Sequence, residues 1–378
     1  MAKKKYINKI ESKNRIKIPY ENYFISLFLA VSLSIGAYLR SWSLRFGIMM
    51  SYDTYYFLRE ASYYLRGSLP NIDPMAPTVV RYFLDEDVQG VPILTSFISK
   101  ITGIELLKVH MGLPIVLGLA SSMITFFIVL FVWKNKYLAA ISSFFLAIIP
   151  AFIYRTTGGF MEKDTLGAPF FLICLLLAVL IIKEKKIKIM GLYGVLLILT
   201  IYLYANSYGN FFFIPIIIGI YAILQPLVAA EEKNKSLTLK DKIKGDVSTW
   251  ALLLSGAIGL VLALVFITPY QNDQLRIELS MMGLIFGALM HLTRAFVKNK
   301  KYYFGTLVAW TVLLLAAAYF VLGYNIISFL LLSDVHGISG QGQVMTFIDI
   351  VDKFFIFPIF AAIGTVYVLY QIKNGIRP

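Results

Sequence analysis

Glu162 and Asp164 stand two residues apart in "RTTGGFMEKD", residues 155–164, a polar break between two long apolar runs. Carboxylates at this spacing in a loop can turn toward one cation. Hard divalent cations such as Mg2+ or Mn2+ take carboxylate oxygens and bind phosphates alongside. A solvated loop, with Lys163 between the acids, is the ordinary alternative. Arg155 opens the stretch. At the end of an apolar run it can snorkel toward water or hold a phosphate. Gly158 and Gly159 permit close backbone approach, which reads as room for a bulky phosphate-linked ligand. A third acid, Asp53, follows the first apolar run in "IMMSYDTYYFLRE". Taken alone, Asp before "TYYF" reads as a helix N-cap. Arg59 and Glu60, one turn on, form either a surface pair or a ligand contact.

These residues must be positioned by the apolar runs around them. Of the 378 residues, 58% are hydrophobic, and the apolar runs recur at lengths suited to crossing a bilayer, about 17–25 residues. We read ten spans, at 22–40, 112–132, 137–153, 167–182, 189–205, 211–229, 249–268, 280–296, 303–331 and 352–371. The expected fold is an all-α polytopic membrane bundle. The lone cysteine, Cys174, lies inside an apolar run, so no disulfide forms within the chain and the thiol reads as a small core residue. The three histidines, His110, His291 and His336, lie far apart and show no metal-ligand spacing.

The net charge of +14 is a topology signal. With residues 1–21 in the cytoplasm, the segments on that side hold 23 of the 35 Lys and Arg residues, the positive-inside pattern. The basic excess also suits anionic headgroups, and this distribution argues against a nucleic-acid partner. The basic N-terminus leads into a long apolar run with no small-residue cleavage site, as in a retained signal anchor. The membrane domain spans 22–372, and 373–378 form a cytoplasmic tail. The opposite face carries segments 41–111, 154–166, 205–210, 268–280 and 333–350. Chemical variety gathers on that face, which suggests a site there. In the long first segment, "YDTYYFLREASYYLRG" (52–67) reads as a helix ending at Gly67. "VPILTSFISKITGIELLKVHMG" (91–112) reads as an interfacial or re-entrant helix, too short to span. No internal repeat or low-complexity segment is present.

Together, a first-loop acid followed by an RTTGG–ExD loop resembles the catalytic subunit of oligosaccharyltransferase, particularly its archaeal form, a GT-C membrane glycosyltransferase. Three stretches carry the resemblance. "SYDTYYFLREASYYL" looks like the family's first-loop acid and short helix. Residues 113–164 look like its second and third spans leading to an RTxAGxxDxD-like motif, with Glu162 replacing the first acid. "YANSYGNFFFIPIIIGIY" (204–221) resembles its aromatic–glycine turn. The resemblance is clearest over about 50–225. It implies a GT-C-like bundle with interfacial helices in a long first outer loop. It implies inverting transfer of a glycan from a dolichol phosphate or pyrophosphate to asparagine in an N-x-S/T sequon, at the outer face of the cell membrane. It also implies a divalent metal, Mn2+ or Mg2+, held by Asp53, Glu162 and Asp164. Asp53 would touch the acceptor amide as well, and Arg155 the carrier phosphate. Arg59, Gln341 and His336 are further candidates for substrate contact.

Two departures accompany the resemblance. The family's fifth-loop glutamate aligns with Gln341, and Asp334, His336 and Asp349 are the neighbouring substitutes. The family's further spans and its soluble WWDYG-bearing domain are not found in this sequence, which leaves three readings open: a fragment, a separate C-terminal domain or subunit as partner, or a diverged paralogue with another acceptor; lipid-linked oligosaccharide, acceptor polypeptide and membrane lipids are the other partners implied. Three other readings stay open: another GT-C enzyme moving a sugar from a polyprenyl phosphate, a non-catalytic paralogue or assembly subunit, and a transporter. Transporters favour mid-span polar groups and repeats, which are not evident.

Overall fold

The computed structural model describes residues 20–67, 70, 89–228, 247–267, 274–297, 302–303 and 305–309, which are helical with no strand among them. The helices are α1 (Glu21–Ser41), α2 (Tyr52–Arg66), α3 (Gly90–Thr102), α4 (Leu106–Trp133), α5 (Lys136–Ile148), α6 (Pro150–Arg155), α7 (Lys163–Lys183), α8 (Ile187–Ala205), α9 (Phe213–Val228), α10 (Val247–Phe266) and α11 (Gln274–Phe296). Short 3₁₀ turns follow α1 and precede α9. Among the described residues, five helical segments are long and apolar enough to cross a membrane: Glu21–Phe46, α4, α7, α8 and α10. The all-helical membrane bundle expected from the apolar runs is therefore present. Of the ten expected spans, 352–371 and most of 303–331 lie outside the described residues.

Two groups of helices make the bundle. In the first, α1 packs on α5 and α5 on α4. Ile25, Phe126, Ala139 and Ala140 form its core. In the second, α7, α8 and α10 pack in sequence, with α9 and α11 against them. Leu197, Ile201, Phe211 and Leu252 are among its buried residues. The groups join where α4 meets α7. Helices α2 and α3 pair with each other and close over this junction. Their seam buries Phe57, Val91, Leu113, Met161 and Leu166 together. Removing a Phe or Leu side chain from water contributes roughly 1.5–3 kcal/mol, so this small cluster anchors the pair.

Local sequence explains three boundaries that differ from the expected ones. The expected span 137–153 is broken at Ile149, which is extended (φ −63°, ψ 124°), and Pro150 then starts α6. The proline ring disfavours helical geometry in the residue before it but suits a first helical position. At the start, the Asn135 side chain caps α5 by accepting from the Tyr137 and Leu138 N–H groups at 3.0 and 3.1 Å. Second, α3 ends at Gly103 (φ +69°), and α4 begins at Leu106. Residues 106–111, expected in the first loop, therefore belong to a membrane helix. Their charges masked this, because Lys108 pairs with Glu105 at 3.2 Å on an exposed side. His110 meanwhile is fully buried, its Nε2 3.0 Å from the Thr54 carbonyl. Third, Asp53 is not the N-cap of α2. Ser51 holds that position, and Asp53 lies in the first turn.

A buried arginine sets the loop between α6 and α7. Arg40, near the end of α1, is fully buried. Its Nε donates to Thr156 Oγ1 at 2.8 Å, and its Nη1 to the Ala147 carbonyl at 2.7 Å and the Gly36 carbonyl at 3.1 Å. Ala147 lies just before the break at Ile149, where helical pairing stops. The Arg40 carbonyl in turn accepts from Gly158 N–H at 2.9 Å and the Thr157 hydroxyl at 3.1 Å. Ser43 Oγ reaches the Gly158 carbonyl at 2.7 Å. Gly159 N–H donates to the Met111 carbonyl, and Met50 N–H to the Gly159 carbonyl, both at 2.9 Å.

The two glycines are thus packed inside protein, which corrects their reading as room for a ligand. A Cβ at Gly158 would meet Leu44 Cδ2 at 2.6 Å. Gly159 has φ +82°, and a Cβ there would lie 3.1 Å from the Ile48 carbonyl. Left-handed backbone costs an L-residue roughly 1–2 kcal/mol. Gly159→Ala is therefore expected to lower unfolding stability by about 1–2 kcal/mol, read as a shifted midpoint in a denaturant titration of the detergent-solubilised chain. An unchanged midpoint would show that the loop has another way to seat.

Candidate functional site

The pinned loop delivers its acids to the mouth of a pocket. After Gly159 the chain runs through buried Phe160 and Met161 to Glu162, the N-cap of α7. Glu162 N–H points to Thr165 Oγ1 at 3.5 Å. That oxygen lies 2.7 Å from the Arg155 carbonyl and 2.8 Å from the Phe160 carbonyl, which ties the end of α6 to the start of α7. Asp164 falls in the first turn of α7, and Asp53 in the first turn of α2. Helix N-termini carry partial positive charge and favour acidic residues, so both positions are comfortable for a carboxylate.

The pocket has a volume of about 190 Å3 and is lined by Asp53, Phe57, Arg155, Glu162, Lys163, Asp164 and Tyr208. Four sequence-nominated residues therefore meet in one place: Asp53, Arg155, Glu162 and Asp164. Arg59 does not line it; its guanidinium lies over the Tyr56 ring, 5.5 Å from the centroid. Gln341 and His336 lie outside the described residues. Sequence reasoning passed over three contributors. Tyr208, in the turn after α8, forms one wall, and Asn210 Nδ2 donates to its hydroxyl at 2.7 Å. Phe57 forms the floor, with Lys163 Nζ 5.6 Å from its ring centroid. Ser51 donates its hydroxyl to the Glu162 carboxylate. All three lie in stretches that carry the resemblance, Ser51 and Phe57 in the first-loop stretch and Tyr208 in the aromatic–glycine turn, but none was nominated for the site.

The electrostatics are those of crowded acids. Burial pushes the Glu162 carboxyl above its usual value, and the like charges of Asp53 and Asp164 push it the same way. The Ser51 hydroxyl and the Arg155 charge act in opposition. Arg155 Nη1 lies 3.0 Å from Asp164 Oδ2 and 3.7 Å from Glu162 Oε2. One guanidinium thus bridges both acids of the loop. No three carboxylate, imidazole or thiol groups among the described residues are gathered closely enough for a complete ligand set. The donor chemistry nevertheless suits a hard cation: three carboxylates border one small pocket, and two of them already share a positive charge.

A raised carboxyl pKa means that the fold prefers the neutral acid. That preference is fully present below the ordinary value of 4.5 and is lost as pH rises through the raised one. Glu162→Gln, neutral at every pH, escapes this loss. The variant is expected to have a higher melting temperature than wild type near pH 7–8, with the gap closing toward pH 4. A gap that widens on acidification would reverse the sign of the effect.

No protein-family model matches the chain, and no curated protein sequence does. Solved structures do. An oligosaccharyltransferase from Archaeoglobus fulgidus, AglB, in complex with an inhibitory peptide and a dolichol-phosphate, matches with a TM-score of 0.67 at 17% identity over 94% of this chain. The Archaeoglobus fulgidus oligosaccharyltransferase tethered to an acceptor peptide containing the NVT sequon matches with a TM-score of 0.68, also at 17% identity and 94% coverage. Its complex with Zn and sulfate matches with a TM-score of 0.62 at 16% identity over 91% of this chain. The chain spans less than half of those proteins, 45% of the first two and 43% of the third. With the helices, their order and the pocket already in place, this likeness identifies the fold: the chain is a helical membrane bundle with the fold seen in those archaeal oligosaccharyltransferase structures.

Proposed function

We propose that the chain is the membrane part of a GT-C glycosyltransferase of oligosaccharyltransferase type, moving a glycan from a dolichol phosphate or pyrophosphate to asparagine in an N-x-S/T sequon. One observation carries the reading. Asp53, Glu162, Asp164 and Arg155, drawn from three separate helix ends, border a single small pocket in a bundle of that fold. The active site faces outward, and the basic N-terminus stays in the cytoplasm.

The chemistry asks for what the pocket offers. An amide nitrogen is a poor nucleophile, so its N–H groups need a carboxylate that accepts them, and Asp53 is the exposed acid of the three. The phosphate leaves as an anion, and a divalent cation, Mn2+ or Mg2+, would stabilise its developing charge. Asp53, Glu162 and Asp164 would hold that ion. Arg155 would contact the phosphate, with Tyr208 and Phe57 as an apolar wall beside it. An acidic contribution from segment 333–350, and a sequon-gripping domain in the same or a separate chain, would complete the machinery.

Reconstituted with dolichol-linked glycan and an N-x-S/T peptide, together with its sequon-binding partner, the chain is expected to form glycopeptide. Asp53→Ala should slow single-turnover transfer by ~10²-fold or more. Undiminished turnover in that variant would remove Asp53 from the mechanism. Sugar transfer to lipid with none to peptide would favour a different acceptor class.

A further inference from the structure

Arg155 occupies the charge position that a cation at this site would take. Its Nη1 bridges Asp164 at 3.0 Å and Glu162 at 3.7 Å, and its side chain is 45% exposed. The guanidinium rests beside Phe160 and Tyr154, 5.5 and 5.7 Å from their ring centroids. It therefore has an apolar shelf on which to lie and water on its other side. Its backbone is held firmly, since its carbonyl receives the buried Thr165 hydroxyl at 2.7 Å. A fixed backbone with a half-exposed head is the arrangement of a side chain that can swing. One observation carries the idea that the acids are held for it: a single guanidinium nitrogen serves both.

We infer that Arg155 is a built-in counter-cation, which must leave Glu162 and Asp164 before those carboxylates can ligate a divalent ion. The inference rests on the reading that this pocket binds such an ion. Arginine presents five donors in a rigid fork and keeps its charge at any pH of interest. It can hold two carboxylates without meeting the oxygen-cage geometry that Mg2+ or Mn2+ demands. With Arg155 in place, the acids stay together and their mutual repulsion is relieved. Once released, the same guanidinium lies in the pocket wall, within reach of an anionic group entering beside the ion. Ion binding and anion binding are then coupled through one side chain, and by linkage each strengthens the other.

The test is Mn2+ binding to the reconstituted full chain, read by the loss of free-ion EPR signal, with no substrate present. Wild type is expected to bind one Mn2+ that Asp53→Asn and Asp164→Asn each weaken strongly. Arg155→Gln, which removes the competing charge, should tighten binding about tenfold, equivalent to ~1.4 kcal/mol. Arg155→Lys keeps the charge without the fork and should fall between the two. Inorganic phosphate, which binds free Mn2+ only weakly, should raise Mn2+ affinity more in wild type than in Arg155→Gln. If Mn2+ binds wild type through Asp53 and Asp164, yet Arg155→Gln binds no more tightly, the counter-cation role is wrong and the site reading stands. If Mn2+ binds neither wild type nor Arg155→Gln, both fall.

Discussion

A guanidinium inside an apolar bundle must find acceptors, and the ones Arg40 finds organise the site. Water is not there to solvate it, and stranding a buried charge costs several kcal/mol. Arg40 has no ion-pair partner among the described residues. It takes instead a threonine hydroxyl and two carbonyls, one of them beside the Pro150 break. The break and the arginine are complementary. The proline interrupts a helix and leaves polar backbone in an apolar setting, and the arginine supplies the donors that setting lacks. The carbonyl of the same residue receives the loop's N–H and hydroxyl donors. The loop from Thr156 to Gly159 is thus held from both the side chain and the main chain of one residue.

Everything at the pocket follows from that hold. Gly159 hangs between Met111 and Met50, which brings the entry to α2 beside the entry to α7. Asp53 and Glu162 are more than a hundred residues apart in the chain, and their elements meet because both lean on this loop. The acids then crowd, and the Glu162 carboxyl is raised by burial first, with the charges of Asp53 and Asp164 adding to it. A compact group of like charges needs a resident cation, and Arg155 supplies one. Structural and chemical roles are divided between the two arginines: Arg40 is buried and fixes backbone, while Arg155 is half-exposed and faces the acids.

Much of this was legible in the sequence. Apolar run length identified helices α1, α4, α7, α8 and α10, because a bilayer sets that length directly. Asp53, Glu162, Asp164 and Arg155 were nominated by residue type and position, and they share the pocket. What escaped notice depends on contacts between distant elements. Arg40, in "AYLRSW", looks like an arginine ending a span, and nothing local says that it is buried. The glycines looked like space for a ligand because glycine reports close approach without naming what approaches; here it is Leu44 and Ile48. The start of α4 was hidden by Glu105 and Lys108, whose charges lower a hydropathy average although they lie on an exposed side.

One seam also governs timing. The N–H of Gly90, at the start of α3, donates to the Asn206 carbonyl at 2.7 Å, and a Cβ there would come within 2.8 Å of Ser207 Cα. This seat joins α3 to the turn that carries Tyr208, and it cannot form until residue 207 has left the ribosome. At ~5–20 residues per second, the wait from residue 90 is on the order of ten seconds. During biosynthesis the α2–α3 pair must therefore persist without its final support, with Phe57 and Val91 lacking the Met161 and Leu166 partners they later acquire. The pocket is among the last features of this part of the chain to mature.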